Sequence, residues 1–242
     1  MEERPKISII VATYNEAKNP IFSQIIANLA PLLGDDRFEV LFVDGASTDT
    51  TKEQIQNAGF RVITTKLSSR ARRFNEAVAL ARGQLILLHH PRSTLSTKAY
   101  WSLLEFSQTG GWGAFRHRFD MQHPILRFTS FYSNFVRLRI FAIAYLDHCI
   151  FVDRQLLVNV GGIPELDVFE DTALSKNLRQ FGRPVLWRYF ATTSAVRFRK
   201  NGILKQVILN QLMKVGYLLG FDHKWLNNIY ERSTQLNPRG KF

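Results

Sequence analysis

Residues 6–17, KISIIVATYNEA, and residues 38–51, FEVLFVDGASTDTT, decide how this chain folds. Each begins as an unbroken run rich in apolar and β-branched residues, the pattern of a strand buried on both faces, and each ends in polar, turn-forming residues. Such strands belong to parallel sheets whose crossovers are helices, and ligands there bind beyond the carboxyl ends of the strands. Thr13, Tyr14 and Asn15 follow the first run, and Asp44 closes the second. A Tyr ring stacks on a base, a Thr hydroxyl reaches a base edge, and a carboxylate accepts from a base imide or a ribose hydroxyl. The same residues also cap ordinary strand-to-helix turns, and either motif alone leaves that alternative open.

Outward from these runs the alternation continues. Helical spacing covers residues 17–33, closed by Gly34, and 48–58, with Ser47 or Thr48 as N-cap. A short strand follows at 60–64, a helix at 68–82 closed by Gly83, and a fourth strand at 84–90. Beyond His90 the spacing predicts a helix over 96–107, a strand within 111–121, and a long basic aromatic helix over 124–144. A strand over 146–153, helices over 154–160 and 169–182, and a last helix over 202–219 complete the chain.

With 242 residues, 45% hydrophobic and 21% charged, the chain suits one globular α/β domain. The single cysteine, Cys149, excludes an internal disulfide and a cysteine-based zinc site. A net charge of +12 attracts polyanions, from phosphorylated ligands to anionic lipid. No helix-turn-helix, RRM or zinc-finger pattern supports nucleic acid as a partner. The N-terminus lacks a secretory h-region and no apolar run spans a bilayer, so a cytoplasmic chain is expected, with the inner face of the membrane as a place of contact.

Taken together, the two opening segments resemble the start of family 2 glycosyltransferases. The resemblance runs on through SRARRFNEAVALARGQLILLHH (69–90) and FEDTALSKNLRQFGRP (169–184), from about Lys6 to the C-terminal helix. A bacterial subgroup carrying VDGGSTD, GRARQMN, LHADT, GDQAIFV and a terminal MED-type helix is the nearest pattern. The resemblance implies a GT-A-type, Rossmann-like mixed sheet flanked by helices in a single domain. It divides into a nucleotide-binding half (about 5–95), an acceptor half (about 96–200) and a C-terminal helical segment (about 201–242). It implies a nucleotide-sugar donor and transfer to an acceptor hydroxyl, usually with inversion. Non-catalytic binding of a nucleotide sugar and a basic membrane-surface role are the rival readings.

By the same resemblance, Arg70 and Arg72 contact the donor diphosphate, although at helical spacing Arg70 and Arg73 share a side and Arg72 points elsewhere. The family's acidic D-x-D-type segment, which holds a divalent cation such as Mg or Mn, is replaced here by His89-His90-Pro91-Arg92. Proline offers no ligand atom, so no metal ligand set and no cofactor are expected. Three readings stay open: Arg92 with a histidine supplies the positive charge, the two histidines bind a softer metal, or catalysis is lost. Asp171 matches the family's base and Glu170 its support, with helix-dipole stabilisation as the plain alternative for both acids. Asp147 and His148 match an acceptor- or donor-contact pair and equally suit a polar strand entry. His117 and His123 read as structural or surface residues. In 201–221, NGILKQVILNQLMKVGYLLGF, the apolar spacing favours packing against the sheet over contact with an anionic membrane. Membrane contact would favour a lipid-linked acceptor.

Overall fold

The computed structural model describes residues 5–67 and 69–234. Ser68, expected to open a helix, and residues 1–4 and 235–242 lie outside the described residues. In chain order the elements are β1 (Ile7–Thr13), α1 (Phe22–Leu29), β2 (Phe38–Asp44), α2 (Thr51–Asn57), β3 (Arg61–Thr64), α3 (Arg70–Leu80), β4 (Leu85–His89), β5 (Ser93–Thr94), α4 (Thr97–Phe106) and β6 (Trp112–Phe119). Then come α5 (Pro124–Phe131), a π-helical continuation (Tyr132–Ile140), β7 (Ile150–Asp153), α6 (Arg154–Asn159), α7 (Glu170–Leu178), β8 (Val185–Thr193), α8 (Val196–Asn201), α9 (Ile203–Leu218) and α10 (His223–Thr234).

One eight-stranded sheet runs in the order β3-β2-β1-β4-β7-β6-β8-β5. Its first four strands are parallel, as the buried apolar runs predict. β7 pairs antiparallel with both β4 and β6, and β8 lies parallel to β6, so the sheet is mixed. One core layer packs α1 and α4 with Phe22, Ile25, Phe42, Tyr100 and Phe151. The opposite layer gathers Leu41, Phe74, Leu88, Ile150 and Leu174 beneath α3 and α7.

Several boundaries differ from expectation for local reasons. α1 starts at Phe22 instead of residue 17, because Pro20 disfavours helix at Asn19 and the chain turns there. α2 starts at Thr51, because the proposed caps are engaged elsewhere: Ser47 with Asp44, and the Thr48 amide with Asn15 Oδ1. Residues 146–148 form a 3₁₀ turn and Cys149 has φ 53°, so the strand there begins only at Ile150. β8, nine residues long, goes unrecognised in the sequence although it lies beside β6 in the sheet.

Gly113 marks the closest approach between β6 and its neighbours. A Cβ there would sit 2.4 Å from the Val185 carbonyl oxygen and 2.7 Å from the Phe151 ring. Gly113→Ala must therefore spread the β6–β8 pair, and we expect a loss of ~1–3 kcal/mol in stability, read as a lower urea midpoint with unchanged slope. An unchanged midpoint would show that the strands part without cost.

Candidate functional site

The strand-end turns after β1 and β2 are locked together. Asp44 is fully buried; it accepts from Thr13 Oγ1 (3.0 Å), Ser47 N (2.7 Å) and Ser47 Oγ (2.6 Å). Asn15, at φ 51°, accepts from Thr48 N at 2.9 Å. Thr13, Asn15 and Asp44 thus build the floor of a cleft, and of the first turn Tyr14 and Glu16 line the cavity above it.

That cavity, of about 360 Å³, lies between the turn after β1, the β4–β5 loop, the start of α7 and the C-terminal helices. Arg70 and Arg73 line it from the first turn of α3, whose N-cap Ser69 accepts from Arg72 N. Arg72 instead points outward and pairs with Glu165 at 2.8 Å, both half exposed. The helical spacing therefore prevails over the family-derived assignment of Arg72. Arg73 was passed over for donor contact, yet it donates to the Thr13 carbonyl at 3.2 Å and its guanidinium stands 5.8 Å from the Tyr14 ring centroid. It crosses Gly45, where any Cβ would lie 2.0 Å from its Nη1. Only glycine leaves that path open.

After β4 the two histidines part. His89 is fully buried against Tyr100, its Nε2 2.8 Å from the hydroxyl, and burial pushes its pKa down to about 4. His90 lines the cavity. Facing opposite sides of the sheet, they cannot chelate one ion, which removes the soft-metal reading of that pair. The Pro91 carbonyl already accepts from Asn19 Nδ2 at 2.7 Å, and Arg92 lies 3.4 Å from Glu16 while lining the cavity. This loop does not fit a hard divalent cation, and no described group of three His, Cys, Asp or Glu side chains is arranged for a metal.

The acidic pair opens α7 on the cavity's far wall. Asn75 fixes the approach, donating to the Ile163 carbonyl (2.8 Å) and accepting from its amide (2.9 Å). Glu170 is fully buried and takes Arg70 Nε and an Arg70 Nη nitrogen on the same oxygen, each at 2.6 Å. Asp171 lines the cavity and accepts from Leu146 N at 2.9 Å. Burial first, then the neighbouring Glu170, raises its pKa to about 6 against the pull of Arg70.

Asp147 also lines the cavity, 3.5 Å from His117 Nε2, so His117 belongs to the site wall and not to the surface. Burial raises the Asp147 carboxyl, but His117, His148 and Arg137 outweigh it and hold it at about 2. Burial also depresses both imidazoles, so near neutral pH Arg137 is the standing cation beside it. His148 does not line the cavity; its ring bridges the Phe115 carbonyl (2.9 Å) and Ser133 Oγ (2.6 Å), a structural role. His123 N-caps α5.

Residues 8–110 match the family model described as Glycosyl transferase family 2. That match runs from β1 to the turn after α4, under half of this chain. The chain's fold is of the GT-A type, like that of S. aureus TarS 1–349 in complex with UDP-GlcNAc (TM-score 0.62, 21% identity, 78% of this chain and 58% of that one). The mannosyltransferase PcManGT from Pyrobaculum calidifontis, in complex with GDP-Man and Mn2+, is similar over 99% of this chain and 77% of its own (TM-score 0.61, 17% identity). This chain thus spans under two thirds of the TarS fragment's length, and at such identities the likeness is one of fold. No curated protein matches the chain.

A raised carboxyl pKa carries a stability consequence. Between the ordinary Asp value of 3.8 and about 6, native Asp171 holds a proton that the unfolded chain has lost. Its stabilising effect is complete below the lower value and is lost as pH rises through about 6. Asp171→Asn should therefore raise stability at pH 7 by ~1–2 kcal/mol, with the gain shrinking toward pH 4. Thermal melts at both pH values test this; a variant less stable at pH 7 would contradict it.

Proposed function

We propose that this cavity binds a nucleotide sugar and transfers the sugar to an acceptor hydroxyl with inversion, without a divalent cation at the β4–β5 loop. The observation that carries the reading is Asp171: a carboxylate with a raised pKa, opening onto the cavity that Tyr14, Arg70, Arg73 and Arg92 line from the nucleotide side. TarS was solved with UDP-GlcNAc and PcManGT with GDP-Man, which supports a nucleotide-sugar donor here.

In this reading Tyr14 packs on the base, above the floor built by Thr13, Asn15 and Asp44. Arg73 and Arg92 face the diphosphate, and Arg70 contributes charge while holding Glu170. Asp171 accepts the acceptor's proton as the acceptor oxygen bonds to the anomeric carbon. The bond from that carbon to the diphosphate breaks on the opposite side, which inverts the centre. The nucleoside diphosphate leaves with the electron pair, and the guanidinium groups stabilise its charge where the family's acidic segment would hold a metal. Asp147 and His117, on the same wall, are suited to orient the acceptor.

Titration calorimetry with UDP, GDP and TDP sugars, with and without EDTA, tests the donor assignment. Binding of at least one, unchanged by EDTA, is expected; no binding to any would sink the reading, and a large EDTA effect would sink its metal-free part. Tyr14→Ala should weaken the bound nucleotide roughly tenfold, through loss of stacking.

Turnover separates catalysis from binding alone. Asp171→Asn should lower kcat by ~10²–10⁴ while donor affinity holds. For the unaltered chain, kcat/KM should climb as pH rises through about 6, since the base must be ionised to act. Full activity in the Asn variant would instead support a binding role or a different base.

A further inference from the structure

The C-terminal helix does not bury its apolar stripe. On α9, Leu204, Ile208, Leu212, Val215 and Leu218 repeat at helical spacing and are each more than half exposed. Ile203 and Val207, on its other side, pack on a small cluster with Leu126 of α5 and Phe198. The neighbouring α5 and its π-helical continuation turn out a second stripe, Phe128, Phe131, Tyr132 and Phe135, at i, i+3, i+4 and i+7. This reverses the expectation of packing against the sheet. Apolar area on this scale marks a docking surface.

The charge around the stripes selects the partner. From Met121 to Leu146 and again from Ser194 to Phe221 there is no Asp or Glu, while Arg127, Arg139, Lys200 and Lys205, none of which lines the cavity, fall within those spans. A second copy seated through the same surface would bring two acid-free basic segments together, and like charges would oppose the contact. An anionic lipid surface offers apolar depth together with opposite charge. No described helix is long and apolar enough to cross a membrane, so the surface suits contact in the plane of the bilayer.

We propose that the outward stripes of α5 with its continuation and of α9 seat on an anionic lipid bilayer. The same elements wall the cavity from within, through Thr129, Ser133 and Arg137 on one side and Asn210, Met213 and Lys214 on the other. Resting on the transfer reading above, this puts the acceptor hydroxyl on a molecule held at that bilayer.

Co-sedimentation of the full chain with vesicles of phosphatidylcholine, alone or with phosphatidylglycerol, tests the docking. The chain should pellet with the anionic vesicles, less so as salt is raised, and only weakly with the neutral ones. The double variant Ile208→Asp with Leu212→Asp, which alters no cavity-lining residue, should bind anionic vesicles at least roughly tenfold more weakly. Its affinity for the nucleotide sugar in titration should match the unaltered chain, which also reports that it folds. Failure to pellet with anionic vesicles while nucleotide binding persists overturns the docking and leaves the donor reading intact. Pelleting without nucleotide binding does the reverse. A concentration-dependent dimer in sedimentation velocity that the double variant abolishes would assign the face to a second copy and overturn the proposal.

Discussion

The ion pair between Arg70 and Glu170 organises the site. The two residues stand 100 positions apart and begin α3 and α7, so their contact ties the helix that precedes β4 to the helix that precedes β8. Glu170 is buried completely, and a buried polar group is costly unless it is paired. Because Arg70 turns its Nε and an Nη nitrogen onto one Glu170 oxygen, the adjacent Asp171 is left with the backbone amides of Leu146 and Thr172, burial and a neighbouring negative charge. The unequal sharing of one guanidinium between two adjacent acids is what separates their roles: one carboxylate holds the architecture and the other is pushed toward taking a proton.

The parts of this arrangement that local chemistry dictates are legible in the chain. Continuous apolar runs give β1, β2 and β4, and i, i+3 spacing puts Arg70 and Arg73 on one side of α3. The same spacing excludes Arg72, which the family pattern alone favoured. What could not be read is which polar group a turn consumes. Asp44 stands at a strand end, where a carboxylate can face a ligand, yet Thr13 and Ser47 take its oxygens. That outcome depends on the register of Thr13 beside Asp44 in neighbouring strands, a tertiary fact. β8 was missed for a related reason. VLWRYFATT is a half-exposed strand with Arg188 within it, and its place beside β6 becomes apparent only once the sheet is assembled.

The C-terminal helix exposes a different limit. Helical periodicity reports that a stripe is apolar and says nothing of what covers it. In α1 the stripe of Phe22, Ile25 and Leu29 is buried under the sheet, whereas in α9 the equivalent stripe is open. Basic charge accompanies the difference: α1 carries no Lys or Arg, whereas Arg127 of α5, Arg139 of its continuation and Lys205 of α9 flank the open stripes.

Charge also gathers around the loop that lacks the acidic segment. Lys214 is depressed to about 8 by burial and then by the nearby Arg137, against the opposing pull of Asp147. An entering diphosphate would relieve that repulsion. A divalent cation entering with it would add positive charge where Pro91 and Arg92 offer it no carboxylate. In a site built on carboxylates the metal brings the positive charge that the leaving group needs; in the transfer reading proposed above, Arg73 and Arg92 in the cavity wall would supply it instead, and loss of the acidic segment and surplus of arginine would be two sides of one electrostatic arrangement.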